Sequence, residues 1–130
     1  MDLSALLPVI DQAVDLDRLR HRMSDERRLM LGVSDGAKAA VLAALAHDAS
    51  TPILVIVPRP QHADALVDEL RAWLGEPAAH QVLLFPERDA LPYERLAPDP
   101  DDVTQRLQAL DALTAPSPPG PLSLKGRGGA

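Results

Sequence analysis

The run from Phe85 to Pro100 carries four prolines, Pro86, Pro92, Pro98 and Pro100. Proline lacks a backbone N–H and fixes its φ angle, so none of these positions suits the inside of a helix or a central strand. The run is not polar filler either, because Phe85, Leu91, Tyr93 and Leu96 sit between the prolines. A long, partly apolar, proline-pinned connection reads as a packed functional loop rather than a free linker. The residues proposed to make it a structural or interaction loop are Phe85, Pro86, Leu91, Pro92, Tyr93 and Arg95.

The rest of the chain divides around this loop. Leu3, Leu6, Leu7 and Ile10 recur at helical spacing, cut short by Pro8. Asp15 to about Ser24 reads as a helix with Leu16, Leu19 and Met23 on one face. Arg28 to Val33 is a short apolar run suited to a buried strand, and Ser34-Asp35-Gly36 turns into an Ala- and Leu-rich helix from Ala37 to Ala49. Ile53-Leu54-Val55-Ile56-Val57, bounded by Pro52 and Pro58, is the clearest strand candidate. Its unbroken apolarity predicts burial on both faces, as in a parallel sheet. Arg59 to Trp73 follows as a helix with Ala63, Leu66, Val67, Leu70 and Leu74 inward, stopped at Gly75-Glu76-Pro77. Val82-Leu83-Leu84-Phe85 is a third strand. A last helix runs from Pro100 to about Leu113, with Asp99 or Asp101 as its cap.

Strand, helix, strand, helix, strand and helix in this order predict an α/β fold. It would be an incomplete open parallel sheet of about three strands with flanking helices, as in a P-loop NTPase lobe. Three strands leave apolar edges unpaired, which suggests a partial domain. The expected division is N-terminal helices over 1–26, the α/β lobe over 27–114, and a Pro/Gly-rich disordered tail over 115–130.

Composition excludes several functions. Phe85, Tyr93 and Trp73 are the three aromatic residues, too few for the stacking platforms that hold single-stranded nucleic acid. The net charge is −6, and the last fifteen residues hold Lys125 and Arg127 but no acid, so the body is more acidic still. That argues against autonomous DNA binding, which needs cations to neutralise phosphates. The basic cluster Arg18, Arg20, His21, Arg22, Arg27 and Arg28 is interleaved with Asp15, Asp17, Asp25 and Glu26 and reads as a solvated helix face with salt links. No cysteine is present, and the four histidines lack metal-ligand spacing. No metal site is expected. Asp99, Asp101 and Asp102, like Glu87 and Asp89, flank turns and a helix start, where carboxylates cap backbone amides. With no signal-peptide pattern and no apolar run of membrane-spanning length, the expected location is the cytoplasm.

Gly32-Val33-Ser34-Asp35-Gly36-Ala37-Lys38-Ala39 stands between a predicted strand and a helix, where a phosphate-binding loop belongs. The candidate nucleotide-binding residues are Gly32, Gly36 and Lys38. Ala37 occupies the place of the second glycine and Ala39 that of the hydroxyl residue that would ligate Mg²⁺. Asp35 puts a negative charge inside the loop. The site is degenerate and reads as vestigial, so no cofactor is expected. ATP with Mg²⁺ enters only if the loop still works.

Several stretches together resemble the N-terminal segment of the bacterial transcription-repair coupling factors, the Mfd family. These are Leu31-Gly32-Val33-Ser34-Asp35-Gly36-Ala37-Lys38 with the helix after it, Pro52-Ile53-Leu54-Val55-Ile56-Val57, Val82-Leu83-Leu84-Phe85-Pro86, and Leu91-Pro92-Tyr93-Glu94-Arg95-Leu96-Ala97-Pro98-Asp99-Pro100 followed by Arg106-Leu107-Gln108-Ala109-Leu110. The likeness covers about residues 1–113. It implies a UvrB-like first lobe with a degenerate P-loop, in a family that couples stalled RNA polymerase to nucleotide excision repair. It implies UvrA, RNA polymerase and DNA as partners of the whole protein, through regions other than this one. The ATP-driven motor of the family is likewise elsewhere, so this chain alone is expected to be a non-catalytic scaffold rather than an enzyme. The alternatives are an ATP-binding lobe of a helicase-like repair ATPase and a stand-alone interaction module.

Overall fold

The computed structural model describes residues 1–13, 15–76, 78–87, 97 and 99–114. Five α-helices follow one another: α1 Leu7–Ala13, α2 Leu16–Asp25, α3 Lys38–His47, α4 Pro60–Leu74 and α5 Pro100–Thr114. Short 3₁₀ turns precede α1 at Ser4–Leu6 and α3 at Asp35–Ala37, and another spans Ala78–Gln81.

The helix boundaries follow from local chemistry. Pro8 lies in the first turn of α1, where the missing N–H has no helical acceptor to lose. The Asp15 carboxylate accepts from the Arg18 N–H at 3.1 Å and caps α2. Pro60 opens α4 at the position that tolerates it. Gly75 ends α4 with φ 63° and ψ 177°, a conformation in which a side chain is strained. A methyl group at Gly75 would also meet Asp2 Oδ1 at 2.8 Å and Ser4 Oγ at 2.9 Å. The N-terminal residues are strapped across this helix end, and Leu3 N–H donates to Ala72 C=O at 2.7 Å. The Asp2 carboxyl is held below its ordinary value, first by the Ser4 N–H and then by the Ser4 hydroxyl. Asp99 caps α5 by accepting from Asp101 N–H at 2.8 Å.

Leu7, Leu16, Leu19, Val41, Ala43 and Ala44 form the core, with Ile10, Leu70, Trp73 and Leu74 packed against it. Leu16 is 1% exposed and is the largest fully buried side chain. The alanines of α3 let α1 and α4 approach its backbone closely, since a methyl group takes little room between helix axes. Arg20 ties the helices together at the edge of this core. Its guanidinium donates to Asp11 and Asp48, each at 3.0 Å, to Asp17 at 3.2 Å, and to the Ala44 carbonyl at 3.0 Å. Burial alone would lower the Arg20 pKa, but the three carboxylates outweigh it and the net shift is upward. Arg22 in the last turn of α2 pairs with Glu26, just past the helix end, at 2.9 Å. The mixed-charge cluster is thus in part the salt-linked surface its sequence implied.

The α/β expectation is corrected. Among the described residues there are helices and irregular chain but no strand and no sheet, so neither the incomplete parallel sheet nor a P-loop-NTPase-like, UvrB-like lobe is present. The runs expected as strands, Arg28 to Val33, Ile53 to Val57 and Val82 to Phe85, are irregular. The physical reason is a missing partner. A strand is stabilised by the N–H and C=O groups of a neighbouring strand. No hydrogen bond among the described residues reaches the backbone of 53–57. Leu54 is 73% and Ile56 85% exposed, against the predicted burial on both faces. The proposed disordered tail over 115–130 lies outside the described residues.

Candidate functional site

The loop between Gly32 and Lys38 is set by two local events. Ser34 adopts extended backbone, and Ala37 N–H then returns to Ser34 C=O at 3.0 Å, closing the 3₁₀ turn that leads into α3. The chain therefore passes straight from turn to helix. Gly32 and Gly36 have open space where a Cβ would stand, so no close approach requires a glycine at either place. Lys38 is the first residue of α3, and its ammonium group bonds the Asp35 carboxylate at 2.5 Å. Lys38 holds the Asp35 carboxyl below its ordinary value, by the hydrogen bond first and by charge second. Both side chains face solvent.

This geometry joins two of the sequence-derived features in a way the motif did not state. Asp35 is turned onto Lys38, so the cation that a phosphate would seek already has an anion beside it. Of the candidate nucleotide-binding residues, Gly32 lies in irregular chain, Gly36 in the 3₁₀ turn and Lys38 at the start of α3. The i, i+3 separation of Asp35 and Lys38 carried the signal for their pairing.

The second group lies where α5 meets the chain before it. The Arg106 guanidinium stacks over the Phe85 ring, 4.0 Å from its centre, and donates to the Pro86 carbonyl. Phe85 and Pro86 are thereby brought into one cluster that anchors α5. Leu91, Pro92, Tyr93 and Arg95, expected to complete the interaction loop, lie outside the described residues. Arg106 was not among the expected site residues. Twenty-one positions separate it from Phe85, beyond any local spacing rule.

Among the described residues, no group of three or more His, Cys, Asp or Glu is placed to hold a metal ion. No helix there is long and apolar enough to cross a membrane.

No protein-family model matches the chain, and no solved structure matches it. A curated relative does: over 98 residues the chain is 34% identical to the transcription-repair-coupling factor of Myxococcus xanthus. The matched stretch is 73% of this chain, which spans 8% of the length of that relative. By this likeness the chain is similar to one short segment of a transcription-repair coupling factor, a protein of DNA repair.

Proposed function

We propose that the chain is a non-catalytic scaffold segment of a transcription-repair coupling factor, serving the region that recruits UvrA in transcription-coupled nucleotide excision repair. The 98-residue likeness to the Myxococcus protein carries this reading. The remaining parts of such a protein would supply the contacts to RNA polymerase and DNA and the ATP-driven motor.

The loop chemistry favours a scaffold over an ATP-binding lobe. A triphosphate would have to displace Asp35 from Lys38 and accept the repulsion of that carboxylate. Ala39 offers no hydroxyl to Mg²⁺. Thermal unfolding of the chain with and without Mg-ATP tests the point. An unshifted transition is expected, with Lys38→Ala behaving as the parent does. A transition raised by Mg-ATP and not raised in Lys38→Ala would contradict the reading and establish a nucleotide site. The repair role is tested by exchanging this chain for the matched segment of the Myxococcus protein and measuring repair of the transcribed strand. Retained repair, with Lys38→Ala as active, is the expected result. Loss of repair on Lys38→Ala in a soluble, folded chimera would overturn it.

A further inference from the structure

Helix α5 stands apart from the core. α3 buries Ala39, Ala40, Val41, Ala43 and Ala44 among its ten residues, whereas α5 buries Ala109 alone among fifteen. No apolar residue of α5 belongs to the core cluster or packs against it. α3 lies along α1 and α4, and no described helix packs extensively along α5. Val103, Leu107 and Leu110, at i, i+4 and i+7, are on the exposed side, with Leu107 61% exposed. Hydrophobic burial therefore does little to hold this helix against the body.

Arg106, near the middle of α5, reaches the body in two ways. The face of its guanidinium lies over the Phe85 ring, and its edge donates to the Pro86 carbonyl. A planar guanidinium can stack and donate at once, which an ammonium group cannot do. The receiving pair is stiff. Proline fixes φ at Pro86 and biases the residue before it towards extended backbone, so the ring and the carbonyl have few alternative placements. The contact is also peripheral, because Phe85 is half-exposed and lies outside the core cluster. It can break without displacing any core side chain.

We propose that α5 is a detachable helix, latched by Arg106, that opens and closes as a unit while the core around α3 stays folded. The latch grips the middle of the helix, so fraying at either end leaves it shut. Opening gives up little apolar burial, because Val103, Leu107 and Leu110 are largely in solvent already. Once open, α5 stands at the length where an isolated helix is marginal in water. Opening therefore melts it and releases its amides, and closing re-forms it against Phe85 and Pro86. The result is a two-position element whose closed position Arg106 selects, in the manner of the least stable cooperative unit of a fold.

Native-state hydrogen exchange on the full chain, followed by NMR at increasing urea, tests this. In the parent chain the amides of Val103 to Leu110 are expected to exchange through an opening that depends weakly on urea, and those of α3 through a rarer one that depends steeply on it. Arg106→Ala is expected to speed α5 exchange by roughly tenfold or more and to leave α3 unchanged. Arg106→Lys, which keeps the charge, should lie closer to Arg106→Ala than to the parent. Phe85→Leu, which removes the ring and spares the Pro86 carbonyl, should speed α5 exchange by about threefold. Leu107→Gln, on the exposed side, should change it by less than about twofold. Exchange of α5 and α3 through one common opening in the parent would overturn the proposal without recourse to any variant, as would α5 amides with no protection at all. So would Arg106→Ala leaving α5 exchange unchanged or speeding α3 equally, or Leu107→Gln matching the effect of Arg106→Ala.

Discussion

The core around α3 and the run from Ile53 to Val57 are built from the same kinds of residue, yet they end in opposite environments. In the core, Leu16, Ala43 and Ala44 are covered by neighbouring helices whose stripes meet at helical spacing. In the second region, four consecutive large apolar side chains face water to a substantial degree. The difference lies in where the backbone finds its partners. A helix satisfies its amides within itself and needs a neighbour only for its side chains. An extended segment needs another segment for both, and among the described residues 53–57 has none. Apolar sequence therefore states a demand for cover, while local hydrogen bonding decides whether the chain can meet it alone.

If the helical core carries the stability, Leu16→Ala should have the largest effect. Removing this buried side chain leaves a cavity between α1, α2 and α3 and should cost about 2–5 kcal/mol, read from urea unfolding. Next in size is Gly75→Ala. Its positive φ and the close approach of Asp2 and Ser4 should make the change cost about 1–3 kcal/mol, and the N-terminal strap should become accessible to aminopeptidase. In contrast, Ile56→Thr should change stability by less than about 0.5 kcal/mol, because the side chain is already in solvent. A large loss at Ile56 would erase the contrast between the regions.

The smallest effect concerns the loop before α3. The Asp35 carboxyl is held below 3.8 by Lys38. A depressed carboxyl contributes stability that is present above the unfolded value and is lost as pH falls through the folded one. The Asp35–Lys38 contribution should therefore be whole at neutral pH and vanish only below about 3.8. An NMR titration should find Asp35 below that value in the parent chain and close to it in Lys38→Ala. Equal titration in both would show that the ion pair does not hold the loop.

The helices were legible in the sequence because their signals are local. Leu16 and Leu19 share a face, Gly75 stops α4, and Asp99 caps α5, each within a few residues of what it acts on. The Asp35–Lys38 pair has an equally local signal in its i, i+3 spacing, but the phosphate-loop motif did not state it. The status of 53–57 was not legible, since β-propensity describes a preference for a paired environment and does not supply the pair. Nor was the anchoring of α5, because Arg106 and Phe85 meet only after the chain has crossed the proline-rich loop. Arg20 shows both cases within one side chain. Its partner Asp17 lies one helical turn away, whereas Asp11 and Asp48 come from other parts of the fold.

Backbone amide hydrogen exchange at low protein concentration tests the central contrast most directly. Amides in the middle of α3 and α4 should be strongly protected, and those of Ile53 to Val57 should exchange at nearly the rate of an unstructured peptide. Protection of 53–57 comparable to that of α3 would mean that its backbone is paired, and the account of a helical core beside an unpartnered apolar run would be wrong.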